Sequence, residues 1–160
     1  MDRHVLSILV GKESLILNRI VGLFSKRCFS IDSLTFGEAE DKSLLRINIE
    51  LKSDKHAFIQ IKKQLEKLID VIDISEPNPA NCFIRELVLI KVRSASDNRL
   101  SILEAVEAFQ GKIIEINNNS LTIEIAGNHE KINPFITAMS SYGIESLSRT
   151  GFTALDRCKI

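Results

Sequence analysis

The residues best placed for chemistry form a short polar turn, Gly11-Lys12-Glu13-Ser14, between an apolar run and a helical pattern. A turn at the start of a helix presents unpaired backbone N–H groups, which can bind a carboxylate or contact another chain. The Gly-Lys pair does not make a phosphate-binding loop. That motif has a glycine five residues earlier, where this chain has Leu6, and Ser or Thr after the lysine, where it has Glu13. We therefore interpret the turn as a regulatory edge.

Catalysis and metal binding have little support elsewhere in the sequence. The histidines and cysteines are widely separated: His4, His56, His129, Cys28, Cys82 and Cys158. Single histidines lack the converging partners of an active site. An odd number of distant cysteines disfavours disulfides and zinc and favours a reducing compartment. No nucleophile elbow or pair of catalytic carboxylates is evident. We expect a non-catalytic chain with no metal or cofactor of its own.

Composition excludes further function classes. The 160 residues carry 21 basic and 21 acidic side chains without a long run of one sign. The sequence therefore has no basic segment of the kind that binds nucleic acid or anionic membranes. Apolar stretches are strand-length, well short of the about 20 residues that span a bilayer. No secretory signal is recognised at the N-terminus. We predict a cytoplasmic protein of one or two domains. Because domains this small bury little apolar surface on their own, we expect the chain to self-associate.

The first half of the chain alternates between strand and helix patterns. Predicted strands cover residues 5–10, 29–36, 45–51 and 71–74, and predicted helices cover residues 15–27 and 55–69. Ser14 is the predicted N-cap of the first helix. A break in alternation between Ile31 and Leu34 predicts a β-bulge or a local twist. The face formed by Arg46, Asn48 and Glu50 is predicted to be solvated.

The second half repeats this order of elements. Predicted strands cover residues 86–92, 113–116, 121–125 and 144–147. Asp97 or Asn98 caps the helix between the first two, and Gly111 ends it. Pro134 fits the first turn of the last helix, which places the helix start at Asn133 or a few residues before.

Strand, helix, strand, strand, helix, strand is the order of a ferredoxin-like βαββαβ unit. The fold class is therefore α+β, with two such units in tandem. Between them, residues 76–81 read Glu-Pro-Asn-Pro-Ala-Asn, which favours an extended linker. We assign the first domain to residues 1–76, the linker to residues 77–83 and the second domain to residues 84–160.

Two nucleic-acid hypotheses share parts of this topology. An RNA-recognition module would stack bases on aromatic rings of its central strands, but the third strand and its counterpart at residues 121–125 are ring-free. An amino-acid-responsive repressor would need a DNA-binding helix-turn-helix segment beside its sensor domain, and the residues outside the two units are too few to form one. We predict no nucleic-acid partner.

Several segments together resemble the small, regulatory subunit of acetolactate synthase. The first contains Arg19, Gly22-Leu23-Phe24-Ser25, Arg27 and Ile31-Asp32-Ser33-Leu34. The others are residues 64–71 (QLEKLIDV), 85–92 (RELVLIKV), 109–114 (FQGKII) and 148–151 (SRTG). The resemblance covers essentially the whole chain, in the same order.

This resemblance implies a non-catalytic protein whose N-terminal half is an ACT domain that pairs with another copy into a continuous sheet. It further implies docking on a large subunit, which carries thiamine diphosphate, Mg and FAD, activation of that subunit, and feedback inhibition by valine. The effector would lie at the dimer interface, between the turn after the first strand and, across the interface, the start of the second strand. A free-standing ACT-type amino-acid sensor that regulates another enzyme remains the alternative.

The chain departs from the family pattern at these effector positions. Family members usually carry Asn, two other residues and Gly in the turn, where this chain has Lys12 and Leu15. They carry Asn at the start of the second strand, where it has Ser30, followed by Ile31. Asn both donates and accepts, whereas Lys only donates. We predict weakened or lost valine binding. Alternatively, Lys12 is a solvated turn residue, Leu15 packs on the sheet, and the effector binds differently.

Overall fold

The computed structural model describes residues 2–12, 15–26, 29–78 and 80–157. In chain order, the elements of this part are β1 (Asp2–Gly11), α1 (Ile16–Lys26), β2 (Ile31–Glu38), β3 (Leu44–Ser53), α2 (Lys55–Leu65), β4 (Val71–Ser75), β5 (Cys82–Arg93), α3 (Arg99–Ala108), β6 (Lys112–Ile116), β7 (Ser120–Gly127), α4 (His129–Ser140) and β8 (Ile144–Asp156). None of the helices in the described part is long and apolar enough to cross a membrane.

Each half builds one four-stranded sheet, with strand order β2-β3-β1-β4 in the first and β6-β7-β5-β8 in the second. The ladders that join β1, β2, β3 and β4 are antiparallel, as are those of β5 and β6 with β7. This order confirms the predicted α+β class with two ferredoxin-like units in tandem. The predicted β-bulge is also present, because the register of β2 against β3 shifts between Ile31 and Ser33.

The core of the first unit lies between the sheet and its two helices. Alternate residues of β1 and β3 face α1 and α2, and the buried cluster comprises Leu6, Ile8, Val10, Ile16, Ile20, Phe24, Ile47, Ile49, Leu51, Phe58, Ile61 and Leu65. Asp54 caps α2 by accepting the N–H of Ala57 at 2.8 Å. The helix predicted over residues 55–69 is too long, because α2 ends at Leu65 and Ile69, beyond it, is 91% exposed.

The second unit has an equivalent core, formed by Val88, Ile90, Val92, Ile102, Val106, Leu121, Ile123, Ile125, Ile132, Phe135 and Met139. Its last helix starts earlier than Pro134 suggests. The Asn128 side chain accepts the N–H of Lys131 at 3.1 Å and so caps a helix that begins at His129. Pro134 therefore lies beyond the first turn.

At the end of α3, two neighbouring residues have different roles: one adopts the left-handed conformation and the other allows close packing. Gln110 adopts the left-handed conformation, with φ 52°, that commonly ends a helix. Gly111 instead permits close packing, since an added Cβ would lie 3.2 Å from Cγ1 of Val106. At the other end, Asn98 is the N-cap residue, and its side chain accepts the N–H of Ala95 at 2.9 Å.

The C-terminal part of β8 belongs to the first unit. The compact units are residues 1–83 with 152–160, and residues 84–151, so the described residues 152–157 depart from the predicted second domain at 84–160. Phe152 is 1% exposed, and its carbonyl accepts the Thr35 hydroxyl at 2.7 Å. Arg157 N–H donates to the Asn81 carbonyl at 2.8 Å. These bonds return the strand to the first unit.

The outer face of the first sheet is not the solvated surface that alternation predicts. Asn48 and Glu50 are buried. Arg3 pairs with Glu50, and the Asn48 amide donates to the Thr35 hydroxyl at 3.3 Å, which in turn contacts Phe152. These contacts compensate the burial of Glu50 and of the Asn48 amide nitrogen, whereas Oδ1 of Asn48 is buried without a hydrogen-bond partner among the described residues.

Candidate functional site

The turn between β1 and α1 is anchored by backbone hydrogen bonds. Gly11 N–H donates to the Asp70 carbonyl at 3.1 Å, and Lys12 N–H donates to the Ser43 carbonyl at 2.9 Å. The carbonyl of Leu15 accepts the N–H of Arg19 at 3.1 Å, so Leu15 stands at the start of α1. The prediction of Ser14 as N-cap lies outside the described residues.

Lys12 forms an ion pair at the entrance of this turn. Its Nζ lies 2.5 Å from Oε1 of Glu38, at the end of β2, and both side chains are about half exposed. The hydrogen bond from Lys12, followed by its positive charge, lowers the pKa of the Glu38 carboxyl from its ordinary value. The pair therefore places an acceptor-only carboxylate beside the candidate effector turn.

Arg19 fixes the start of α1 to the segment before β4. Its Nη1 lies 2.5 Å from Oδ2 of Asp70, whose side chain is mostly buried. Arg19 therefore acts through an ion pair that links the helix start to Asp70. Asp70 thus contacts both Gly11, through its carbonyl, and Arg19, through its carboxylate.

The four predicted effector positions fall on two elements of the first unit. Lys12 and Leu15 flank the β1–α1 turn, while Ser30 precedes β2 and Ile31 opens it. Leu15 is 58% exposed, so the alternative in which it packs on the sheet is wrong. Ser30 is exposed, and Ile31 packs against the core. Whether these residues bind an effector stays a prediction.

The second unit has an equivalent turn that sequence reasoning did not single out. Arg93 N–H donates to the Gly143 carbonyl at 2.9 Å, and Ser94 N–H donates to the Asn119 carbonyl at 2.8 Å. Arg99 spans this turn. One of its terminal nitrogens donates to the carbonyls of Asn117 and Asn118 at 2.7 Å, and its Nε donates to Oγ of the buried Ser94 at 3.1 Å.

A buried carboxylate in the second unit was also missed. Glu86 lies at the apolar face of β5 and accepts two hydrogen bonds from Arg149, at 3.1 Å from Nε and 2.5 Å from Nη2. Nδ1 of His129 lies 3.2 Å from the same carboxylate. The signal was present, because Glu86 occupies the in-facing phase of Val88, Ile90 and Val92. A charge in that phase requires a partner.

These observations describe a scaffold suited to regulation. Among the residues that the structure describes, no group of three or more His, Cys, Asp or Glu side chains could hold a metal ion. Cys82 is buried, and desolvation raises the pKa of its thiol, which disfavours the nucleophilic thiolate. Tandem ferredoxin-like units with a strand–turn–helix edge define the class of ACT-type regulatory proteins.

Comparison with known proteins identifies the family. Residues 6–73 match a family model described as the AHAS small subunit-like ACT domain, and residues 85–158 match the small subunit of acetolactate synthase. The chain is 39% identical over 157 residues to a probable acetolactate synthase small subunit of Methanothermobacter thermautotrophicus, covering 98% of this chain and 94% of that protein. It is 40% identical over 154 residues to the acetolactate synthase small subunit of Mycolicibacterium smegmatis, covering 96% and 91%.

A solved structure agrees with these relatives. The acetolactate synthase small subunit from Thermotoga maritima superposes with a TM-score of 0.90 at 35% identity, covering 100% of both chains. The chain therefore belongs to the family of acetolactate synthase small subunits, as its sequence resemblance indicates. It is a regulatory and not a catalytic subunit, and the family name places it in branched-chain amino-acid biosynthesis.

Proposed function

We propose that this chain binds the large, catalytic subunit of acetolactate synthase, raises its activity, and responds weakly or not at all to valine. Support for the partner comes from the family matches across both units and from the names of the relatives. Thiamine diphosphate, Mg and FAD would be bound by the large subunit, and the complex would work in the cytoplasm.

The observation that carries weakened feedback is the ion pair between Lys12 and Glu38. An amino-acid effector would direct its carboxylate toward N–H groups at the helix start. Glu38 repels that carboxylate, and the Lys12 ammonium that could attract it already has a partner. The side chain of Leu15 occupies space where the family's glycine would admit a ligand to the backbone.

Self-association through the first unit belongs to the same proposal. β2 and β4 are the edge strands of its sheet, and edge strands expose backbone groups that can pair with another chain. Phe36 on β2 is 59% exposed, which supports β2 as the pairing edge. Pairing there would bring Ser30 and Ile31 of one copy close to the interface.

The proposed function is tested by titrating the chain into its cognate large subunit, with and without valine. We expect saturable activation that millimolar valine leaves largely intact. Activation reversed by valine would keep the partner and contradict the interpretation of the turn. Absence of activation at every ratio would contradict the partner and favour the free-standing sensor.

Restoring the family residues should restore feedback. The triple variant Lys12→Asn, Leu15→Gly, Ser30→Asn is expected to lower the valine concentration for half-inhibition by about tenfold or more, since one hydrogen bond to a charged group contributes about 1.5 kcal/mol. Lys42→Asn, an exposed lysine in the β2–β3 loop, is the matched control. An unchanged valine response in the triple variant would show that these positions do not set feedback.

A further inference from the structure

The helices of the first unit carry charge of one sign. Within their bounds, α1 and α2 contain five basic residues and no acidic one: Arg19, Lys26, Lys55, Lys62 and Lys63. Lys67 lies two residues beyond the end of α2, after the C-cap Glu66, and the N-cap of α2 is Asp54. By contrast, α3 and α4 contain three acidic residues and two basic ones. Because the whole chain has no net charge, this basic helical layer is a local concentration and not a general property.

Two of these cations form ion pairs within the described part of the first unit, and these pairs do not include Lys55, Lys63 or Lys67. Arg19 pairs with Asp70, and Lys62 pairs with Glu76 at 2.7 Å. Lys63, in the last turn of α2, and Lys67, just beyond the helix end, are both exposed. Lys55 is the first residue of α2, where the helix dipole disfavours a cation. The exposed lysines of this layer are therefore available to a partner.

The same layer contains two adjoining open cavities that share Gln64. The first, about 430 Å³, is lined by Asn18, Arg19, Gly22, Leu23, Lys26, Gln64 and Leu68. The second, about 380 Å³, is lined by Gln60, Lys63, Gln64, Glu66 and Lys67. A Cβ at Gly22 would meet nothing within 4 Å, so this part of the groove is open. Ammonium groups and side-chain amides offer donors that suit carboxylates.

We propose that the basic helical layer, consisting of α1, α2 and Lys67, is the surface on which an acidic patch of the acetolactate synthase large subunit docks. The inference rests on the proposed function, which supplies the partner. Pairing of two copies through strand edges uses the sheet and leaves the helices open for the large subunit. Complementary charge would steer the two subunits together and make their association sensitive to salt.

The test uses the double charge reversal Lys63→Glu, Lys67→Glu in the full chain. Its matched control is Lys42→Glu, Lys112→Glu, which makes the same charge change at exposed residues outside the helices. Both variants, and the milder Lys63→Gln, Lys67→Gln, are titrated into the cognate large subunit at low and high salt. The readout is the concentration of small subunit that gives half-maximal activation. Circular dichroism verifies that each variant is folded.

We expect the helical reversal to raise the half-activating concentration by about tenfold or more, the neutral variant to raise it less, and the control to change it by less than about twofold. Wild-type activation should weaken as salt increases. Equal titrations for all variants would overturn the docking surface while leaving the proposed function intact. The oligomeric state of the small subunit without its partner is measured as well. If the helical reversal changes this oligomeric state but leaves the half-activating concentration unchanged, the proposal is overturned, because the layer would then contact a second copy of this chain. Failure of the wild type to activate would instead refute the proposed function.

Discussion

The turn after β1 and the turn after β5 share a backbone framework and differ in what closes them. In each, the last strand residue, Gly11 or Arg93, donates to the carbonyl just before the fourth strand, and the next residue donates to the hairpin between the second and third strands. The second turn is spanned by the Arg99 guanidinium, bound to buried Ser94 and to the hairpin. The described residues of the first carry the exposed pair of Lys12 and Glu38 and, at the start of α1, the pair of Arg19 and Asp70.

The difference teaches how one fold can separate regulation from stability. Hydrogen bonds from a charged group to carbonyls and to a buried hydroxyl hold the second turn in one conformation. An exposed ion pair in water contributes little to stability, so the pair of Lys12 and Glu38 adds charge to the first turn without stabilising it much. The first turn is the one at which we propose that effector binding is weakened.

β1 and β5, the first strands of the two units, also differ at an equivalent position: one carries an aromatic contact and the other a buried ionic cluster. His4 of β1 pairs with Leu51 of β3, and Glu86 of β5 pairs with Gly127 of β7, at matching places in the two ladders. The His4 ring stacks on Phe58 with centroids 4.0 Å apart. Glu86 instead forms the buried ionic cluster with Arg149 and His129.

The largest predicted effect tests this ionic cluster. Glu86→Gln leaves the Arg149 guanidinium without its charged partner, and we expect a loss of about 3 kcal/mol in the free energy of unfolding. Urea denaturation measures it. Glu145→Gln, which removes an exposed partner of Arg93 at 3.7 Å, is the control and should cost less than about 1 kcal/mol. Equal losses would show that burial of Glu86 has no special role.

A smaller effect is expected at the turn after β5, which Arg99 spans. Arg99→Met removes the hydrogen bonds to Ser94 and to the hairpin carbonyls, and should lower the free energy of unfolding by about 1–2 kcal/mol. Faster amide exchange at residues 117–119 would locate the change. Arg99→Lys should retain part of the stability, since one ammonium still reaches a carbonyl. Unchanged exchange in Arg99→Met would contradict the idea that this side chain closes the turn.

The smallest effect concerns the turn after β1, at the ion pair of Lys12 and Glu38. Because Lys12 lowers the pKa of Glu38, the ion pair stabilises the fold above the ordinary carboxyl pKa of 4.5 and loses that contribution as the pH falls through the lowered value. Lys12→Met should therefore raise the pKa of Glu38, measured by NMR titration of its carboxyl carbon. The thermal midpoint at pH 7 should hardly move. A Glu38 titration identical to that of the wild type would show that the pair does not form in solution.

Sequence patterns located the candidate site only in part. The turn at Lys12 follows from the change of apolar period between β1 and α1 and from the family resemblance. Its partner Glu38 lies 26 residues away, and nothing local links the two. Arg99 looked like an ordinary first-turn helix residue, because the carbonyls it binds belong to a hairpin 18 and 19 residues away.

By itself, the sequence determined the order of elements, both apolar cores and the family, because each helix and strand records its buried face in the spacing of apolar residues. Tertiary structure decided that residues 152–157 return to the first unit, that Asn48 and Glu50 are buried, and that Arg149 neutralises Glu86. Those outcomes depend on contacts between distant segments, which periodicity does not encode. A polar residue in a strand looks the same whether water or another strand covers it.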